Sequence, residues 1–356
     1  MSLDLGSLEL YMGPDTIGGP DDLEATIIEF IDRAQEKLDI AVQELESRPI
    51  AEAIINARQR GVTIRVILEG KYLNVDHATA DPWALQGQNE RNREIHNALL
   101  RADIDVISDL NPDTYHQKFI VRDPEGTRAA VLTGSTNFTP TGTSQNLNHV
   151  VILKSKRIAG LYFDEFEESW SGTFGQKNER HEEAPKCYKV SGVKVKVLFA
   201  PDHTPELEIM KQMLKATQRV DFAMFTFAQS SGIDDTMICL HRSGIPVRGV
   251  LDRRQANQDW AATRPLRNAG AELWWPKTDS GISKLHHKLV VIDRQVVIAG
   301  SFNYTAPANA MNDENIIVVG DINEDNATAR ARQQQFANYA WQEIERIIQH
   351  QSEQIP

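Results

Sequence analysis

The chain repeats itself, and that repeat limits its possible folds more than any single motif does. Leu10-Tyr11-Met12-Gly13-Pro14-Asp15 is echoed by Val197-Leu198-Phe199-Ala200-Pro201-Asp202, and an amphipathic helical pattern follows each. Two apolar strands come next, Leu38–Val42 and Val220–Met224. A second helix in each half stops at a glycine, Gly61 or Gly244, the residue that best tolerates a left-handed C-terminal cap. Further strands run from Gly61 to Glu69 and from Gly244 to Asp252. This alternation predicts the α/β class: two similar domains related by a pseudo-twofold axis, each a mixed central sheet flanked by helices. The boundaries expected are 1–175 for the first domain, 176–191 for a linker of little periodicity, and 192–356 for the second. Lys71–Glu90 is polar, has no counterpart of equal length and reads as a long loop. Each half ends in an amphipathic helix with a late tryptophan, Trp170 or Trp341. With Tyr162, Phe166 and Phe336 these read as core rather than as a base-stacking platform.

At 356 residues and 41% hydrophobic content, the chain can bury two ordinary cores. It has no apolar run of about 18 residues, so no spanning helix and no stable membrane insertion are expected. Its N-terminus has no basic start followed by an apolar stretch, so no signal peptide is expected. Two cysteines, Cys187 and Cys239, read as free thiols in a reducing cytoplasm. The net charge of −12 argues against coating nucleic acid by bulk electrostatics and against stable docking on an anionic membrane, but it leaves room for a local basic cleft.

The chemistry-bearing pattern also occurs twice. His116-Gln117-Lys118, four residues, Asp123 and then Gly134-Ser135-Thr136-Asn137 form the first copy. His286-His287-Lys288, four residues, Asp293 and then Gly300-Ser301-Phe302-Asn303 form the second. An apolar run follows each lysine, so a buried strand is expected, with histidine and lysine on one face and His287 packing on the other. A single His-x-Lys pair carries no information; the duplicated whole does. Metal ligation fits poorly, because each histidine has a same-face lysine that repels a cation, and no zinc-type spacing is present. No metal or other cofactor is expected. Lys118, Lys288, Asn137 and Asn303 can instead hold the charge of a phosphodiester transition state. The Gly-Ser turns are expected to approach the bound anion, with Ser135 and Ser301 adding hydroxyl donors. Asn148, Arg253 and Arg254 are further substrate-binding candidates, and Trp260, Trp274 and Trp275 are groove candidates. Asp123 and Asp293 are expected to be structural, bonding loop backbone near the site.

The pattern His-x-Lys-x4-Asp followed by Gly-Ser-x-Asn resembles the signature of the phospholipase D superfamily, and the likeness covers nearly all the chain. The second copy resembles small HKD endonucleases that act as homodimers, so the chain looks like two such subunits fused. The resemblance implies a metal-independent, two-step displacement through a phosphohistidine, with one histidine as nucleophile and the other as general acid/base. It also implies that the position eleven residues beyond each asparagine, Asn148 or Glu314, orients a catalytic histidine, often the one in the opposite half. If the pairing crosses, Glu314 backs His116 as nucleophile and Asn148 contacts His286 as acid/base; if it stays within each half, the roles reverse. Cytoplasmic character and the nuclease-like second motif favour a DNA or RNA substrate, with a phospholipase D or phosphatidyltransferase as the alternative. One chain holds both motifs, so a monomer is expected to suffice.

Overall fold

The computed structural model describes residues 2–75, 77–78, 80–177 and 184–356. They form two nine-stranded sheets. The first half supplies Leu3–Asp4 (β1), Leu8–Gly13 (β2), Lys37–Val42 (β3), Thr63–Leu68 (β4), Asp105–Ser108 (β5), Lys118–Arg122 (β6), Ala130–Gly134 (β7) and Asn146–Leu153 (β8). The second supplies Cys187–Val190 (β9), Val193–Ala200 (β10), Val220–Met224 (β11), Val247–Leu251 (β12), Glu272–Pro276 (β13), Lys284–Leu285 (β14), Lys288–Ile292 (β15), Val296–Gly300 (β16), Glu314–Val319 (β17) and Ser352–Gln354 (β18). The first sheet runs β1-β2-β8-β7-β6-β3-β4-β5, and the second runs β9-β10-β17-β16-β15-β11-β12-β13-β18. In this direction the first eight strands of the two orders match, the second sheet adds β18 beyond β13, and the first takes β14 against β8. β3, β4 and β5 are parallel, as are β11, β12 and β13. β6 and β15 join them antiparallel, which makes both sheets mixed.

The apolar runs after each lysine are buried on both faces of their sheets, as strands in covered sheets must be. Phe119 and Val121 of β6 face a central core, whereas Ile120 faces an outer one; Leu289 and Val291 of β15 repeat the arrangement, with Val290 and Ile292 outward. The central core belongs to both halves. It takes Tyr162 and Phe166 from the helix Lys156–Trp170, and Phe336, Ala337 and Ala340 from the helix Ala327–Arg346. Each such buried side chain contributes about 1.5–3 kcal/mol, so the halves stabilise each other through this layer. The remaining helices cover the outer faces. Those at Leu23–Asp32 and Arg48–Gln59 start at Asp22 and Ser47, whose side chains accept from Ala25 N and Ile50 N.

Some expectations need correction. Trp170 and Trp341 are only half-buried, because Arg65 and Arg294 stack on their outer faces. The end of the expected linker is strand β9, paired with β10, because its Tyr188 and Val190 pack on the central core; residues 178–183 of that linker lie outside the described residues. The expected long loop starts with a short helical turn, Gly70–Leu73, before the helix Glu90–Arg101. Cys187 and Cys239 are exposed and unbonded. Among the described residues no helix is long and apolar enough to cross a membrane.

Candidate active site

Each motif histidine enters its strand from a segment stitched to the other half. His116 N donates to Asp313 O (3.0 Å), and Asp313 N donates to Thr114 O (3.1 Å). His286 N donates to Leu147 O (2.9 Å), next to the parallel pairing of β14 with β8. This double crossing brings the two imidazoles together, and the ammonium charges of Lys118 and Lys288 both act on each ring. Both rings are nearly fully buried. Desolvation first, then the lysines, pushes both imidazoles well below their ordinary value.

The orienting groups cross between halves as well. His116 Nδ1 lies 2.7 Å from Glu314 Oε2, and the Ser301 hydroxyl donates to that same oxygen at 2.5 Å. His286 Nδ1 lies 2.9 Å from Asn148 Oδ1, and the Ser135 hydroxyl donates to that oxygen at 2.8 Å. In both rings Nδ1 is held, which leaves Nε2 for chemistry. Burial raises the Glu314 carboxyl to about 8, against the pull of Lys118, Ser301 and Lys288.

The lysines are alike in backbone and unlike in surroundings. Lys118 Nζ donates to His116 O (2.9 Å) and to Gln43 Oε1 (3.2 Å). Lys288 Nζ donates to His286 O (3.0 Å) and sits over the Phe225 ring, 4.8 Å from its centroid. Burial pulls the Lys118 ammonium down to about 8, opposed by Glu314 and Glu44, and pulls Lys288 well below its ordinary value. Asn137 Nδ2 donates to Glu44 Oε1 at 2.6 Å. The Oδ1 atoms of Asn137 and Asn303 are buried without partners.

Several sequence candidates are placed otherwise than expected. The hydroxyls of Ser135 and Ser301 face Asn148 and Glu314, not the cleft, and Asn148 is a partner of His286 rather than an open substrate ligand. The glycines of the Gly-Ser turns make their close approach to the neighbouring strand: a Cβ on Gly134 would stand 2.2 Å from His149 O, and one on Gly300 2.3 Å from Asn315 O. Asp123 and Asp293 are structural, but at the far end of their strands. Asp123 accepts from the backbone of Gln35, Glu36 and Lys37, and Asp293 from that of Thr217, Gln218 and Arg219. Arg253 is held by Glu353 and stacks 4.6 Å from the Trp275 ring centroid, because β18 closes that edge of the sheet; Arg254 and Trp260 are exposed.

Beneath the cleft runs a buried polar seam that sequence reasoning missed. His287 Nδ1 lies 3.1 Å from His149 Nδ1, and Gly300 N donates to His149 Nε2 (3.2 Å), so His149 is the donor of the pair. At the related position Asn315 Nδ2 donates to Gln117 Oε1 at 2.7 Å. The available signal was that His149 and Asn315 follow the two orienting residues directly and each falls in an otherwise apolar strand. Gln43 and Phe225, next after strands β3 and β11, carried no signal of their own.

A family model described as "Cardiolipin synthase, PLD-like domain" matches residues 27–170 and again 209–341. The mitochondrial cardiolipin hydrolase of Xenopus tropicalis is 32% identical over 133 residues, 37% of this chain and 59% of that protein. A phospholipase D of Rickettsia felis is 32% identical over 152 residues, 39% of this chain and 70% of that protein. The chain thus spans less than two thirds of the cardiolipin hydrolase it matches. Among solved structures, the phosphatidylserine synthase of Haemophilus influenzae aligns with a TM-score of 0.65 at 12% identity, over 100% of this chain and 89% of that one. The polyphosphate kinase of Porphyromonas gingivalis aligns with a TM-score of 0.62 at 11% identity, over 98% and 48%. These two are likenesses of fold. With a PLD-like domain matched in each half and the two folded alike around one cleft, the chain belongs to the phospholipase D superfamily.

Proposed function

We propose that this phosphodiesterase acts on phospholipids, with His116 as nucleophile and His286 as general acid/base. The observation that carries the roles is the crossed, unequal pairing of the rings. The Glu314 carboxyl on Nδ1 fixes the His116 tautomer and, when ionised beside Lys118 and Lys288, makes Nε2 the better nucleophile, and the neutral Asn148 amide gives His286 no such push. His116 Nε2 attacks phosphorus, the bond to the leaving oxygen breaks, and that oxygen takes the proton from His286. Water then attacks the phosphohistidine and gives a proton to His286, and the bond to His116 Nε2 breaks. Lys118, Lys288, Asn137 and Asn303 face the charge that builds on the phosphoryl oxygens.

The substrate choice rests on the rim. Nucleic acid wants a basic groove, yet Glu44 and Glu69 act on Lys118, and burial, followed by Glu44, Glu69 and Glu46, raises the pKa of Tyr72. Apolar side chains stand exposed in the connections that leave the cleft ends of β4 and β5: Trp83 is 93% exposed and Leu110 73%. The names of the relatives, cardiolipin hydrolase and phospholipase D, point the same way, so the lipid alternative displaces the nuclease favoured from sequence. The test offers phosphatidylcholine and cardiolipin in mixed micelles, and single- and double-stranded DNA and RNA, all with excess chelator. Phosphatidate is the expected product, formed even in excess chelator because lysines supply the charge. Cleavage of nucleic acid alone restores the nuclease reading, and loss of all activity in chelator overturns the mechanism.

A further inference from the structure

The basic cavity at the other pole of the first half is the strongest feature that the mechanism leaves unused. It measures about 760 Å³ and is lined by Arg33, Arg60, Arg122, Arg128, Lys154 and Lys156, with Asp32 as the acid in its wall. In a chain of net charge −12 such a concentration of cations is unexpected. It lies where β6 ends, at the opposite end of that strand from Lys118.

Arg122 is the centre of the argument. It is 6% exposed, and its guanidinium lies 4.4 Å from the Phe30 ring centroid. Nη1 donates to Phe30 O at 3.1 Å, but Nε is buried without a partner. A buried cation with an unused donor is costly unless an acceptor completes it. The outer cations differ in their partners: Arg33 pairs with Glu29 in solvent, Arg60 reaches Asp32 at 3.5 Å and the carbonyls of Ile31 and Asp32, and Lys154 is paired with the buried Glu9. Arg128 is exposed and makes no ion pair among the described residues.

The repeat provides an internal control. Counting from the two lysines, Ile292 stands where Arg122 does, and counting from Asn148 and Glu314, Gly320 and Ile322 stand where Lys154 and Lys156 do. The turn that carries Thr127 and Arg128 in the first half shrinks to Asp293–Gln295 in the second. The second half therefore keeps the fold without counterparts of Arg122, Arg128, Lys154 and Lys156, although Lys215 stands where Arg33 does, and the presence of those four in one half calls for a separate reason.

We propose that this cavity binds a phosphate group, at a site separate from the cleft. Guanidinium forks match phosphate oxygens in geometry and charge, and Arg33, Arg60, Arg122 and Arg128 line the cavity with several such donors. The group can belong to a soluble phosphate compound or to the headgroup of an anionic lipid. The proposal does not depend on which diester the cleft cuts.

The full chain is titrated calorimetrically with pyrophosphate at low ionic strength, and sedimented with vesicles of phosphatidylcholine with and without phosphatidate. Two variants are compared with the parent: Arg122→Ile, the residue of the other half, and Arg128→Ala, an exposed position that keeps the test valid if the first variant melts early. Two pyrophosphate equivalents are expected in the parent, one of them weakened about tenfold or more in each variant, with diester cleavage unchanged. If only phosphatidate-dependent sedimentation weakens in both variants, the site is supported with a lipid headgroup as its ligand. Titration and sedimentation unchanged in both variants overturn the proposal.

Discussion

Glu314 and Asn148 hold equivalent places on β17 and β8 and differ by one charge, and each touches the imidazole of the other half at Nδ1. Glu314→Gln keeps the hydrogen bond but loses the carboxylate, so kcat is expected to fall on the order of 10²–10⁴-fold, as in other imidazole–carboxylate pairs; Asn148→Ala should be milder. With His286→Ala and a phospholipid diester whose leaving group needs no proton, mass spectrometry should find the phosphatidyl group on His116. An adduct on His286 in the His116→Ala protein reverses the assignment. The pH profile follows from the buried rings. Both imidazoles are held well below their ordinary 6.5 by desolvation and by the lysines, so His286 is neutral in the free enzyme near pH 7 and must gain a proton to act. The Glu314 carboxyl, raised to about 8, must be ionised while His286 is protonated, so kcat/KM should be bell-shaped, declining in acid and again above about pH 8, and a rate that keeps rising through pH 9 contradicts this reading. At this scale the sequence was most legible where it repeated itself: a duplicated His-x-Lys can be read without a structure. It was least legible for Ser135 and Ser301, because a hydroxyl beside an anion-binding motif is ambiguous until its acceptor is seen. Nothing in the chain order puts Gln43 beside Lys118 or Phe225 beside Lys288.

Among the elements, β6 and β15 separate two functions along one strand. Lys118 and Asp123 are five residues apart, about 16 Å at the rise of a strand, so one works in the cleft and the other anchors the loop that leads into β3. That distance was available from counting alone, and the expectation of a carboxylate near the site overlooked it. Both aspartates have positive φ, 47° and 51°, and each gathers the backbone N–H groups of three successive residues. Asp123→Ala leaves those donors without their acceptor and should cost about 1–3 kcal/mol, read as a lower denaturant midpoint with kcat nearly unchanged at a temperature where the protein is folded. A large kcat loss without a stability change would place Asp123 in the chemistry instead. The strands Leu38–Val42 and Val220–Met224 were legible from their apolar runs, and the helix stops at Gly61 and Gly244 from the glycines, both of which have positive φ. Strand β9 was not, since Cys187–Val190 follows a polar stretch and becomes a strand only by pairing with β10.

As a whole, the molecule is two copies of one topology sharing a central core and exchanging the groups that orient their histidines. Residues 1–175 and 192–356 produced separately should each expose that core, associate or aggregate on a sizing column, and show no turnover beyond a trace; a lone half that works as a monomer would contradict the crossed site. The repeat made this architecture legible, whereas the shared core was not, because apolar residues facing a partner domain read the same as those facing a helix. Covalent fusion has a further effect. In an assembly of two identical subunits every amino-acid change is made twice, so both sides of the cleft stay the same and a substrate can enter either way round. Here Glu314 stands on one side only. With His286 as the proposed acid the cleft has a direction: of the two ester arms of a diester, only the one pointing toward His286 would depart, and the chain itself, rather than the substrate, would decide which bond is cut.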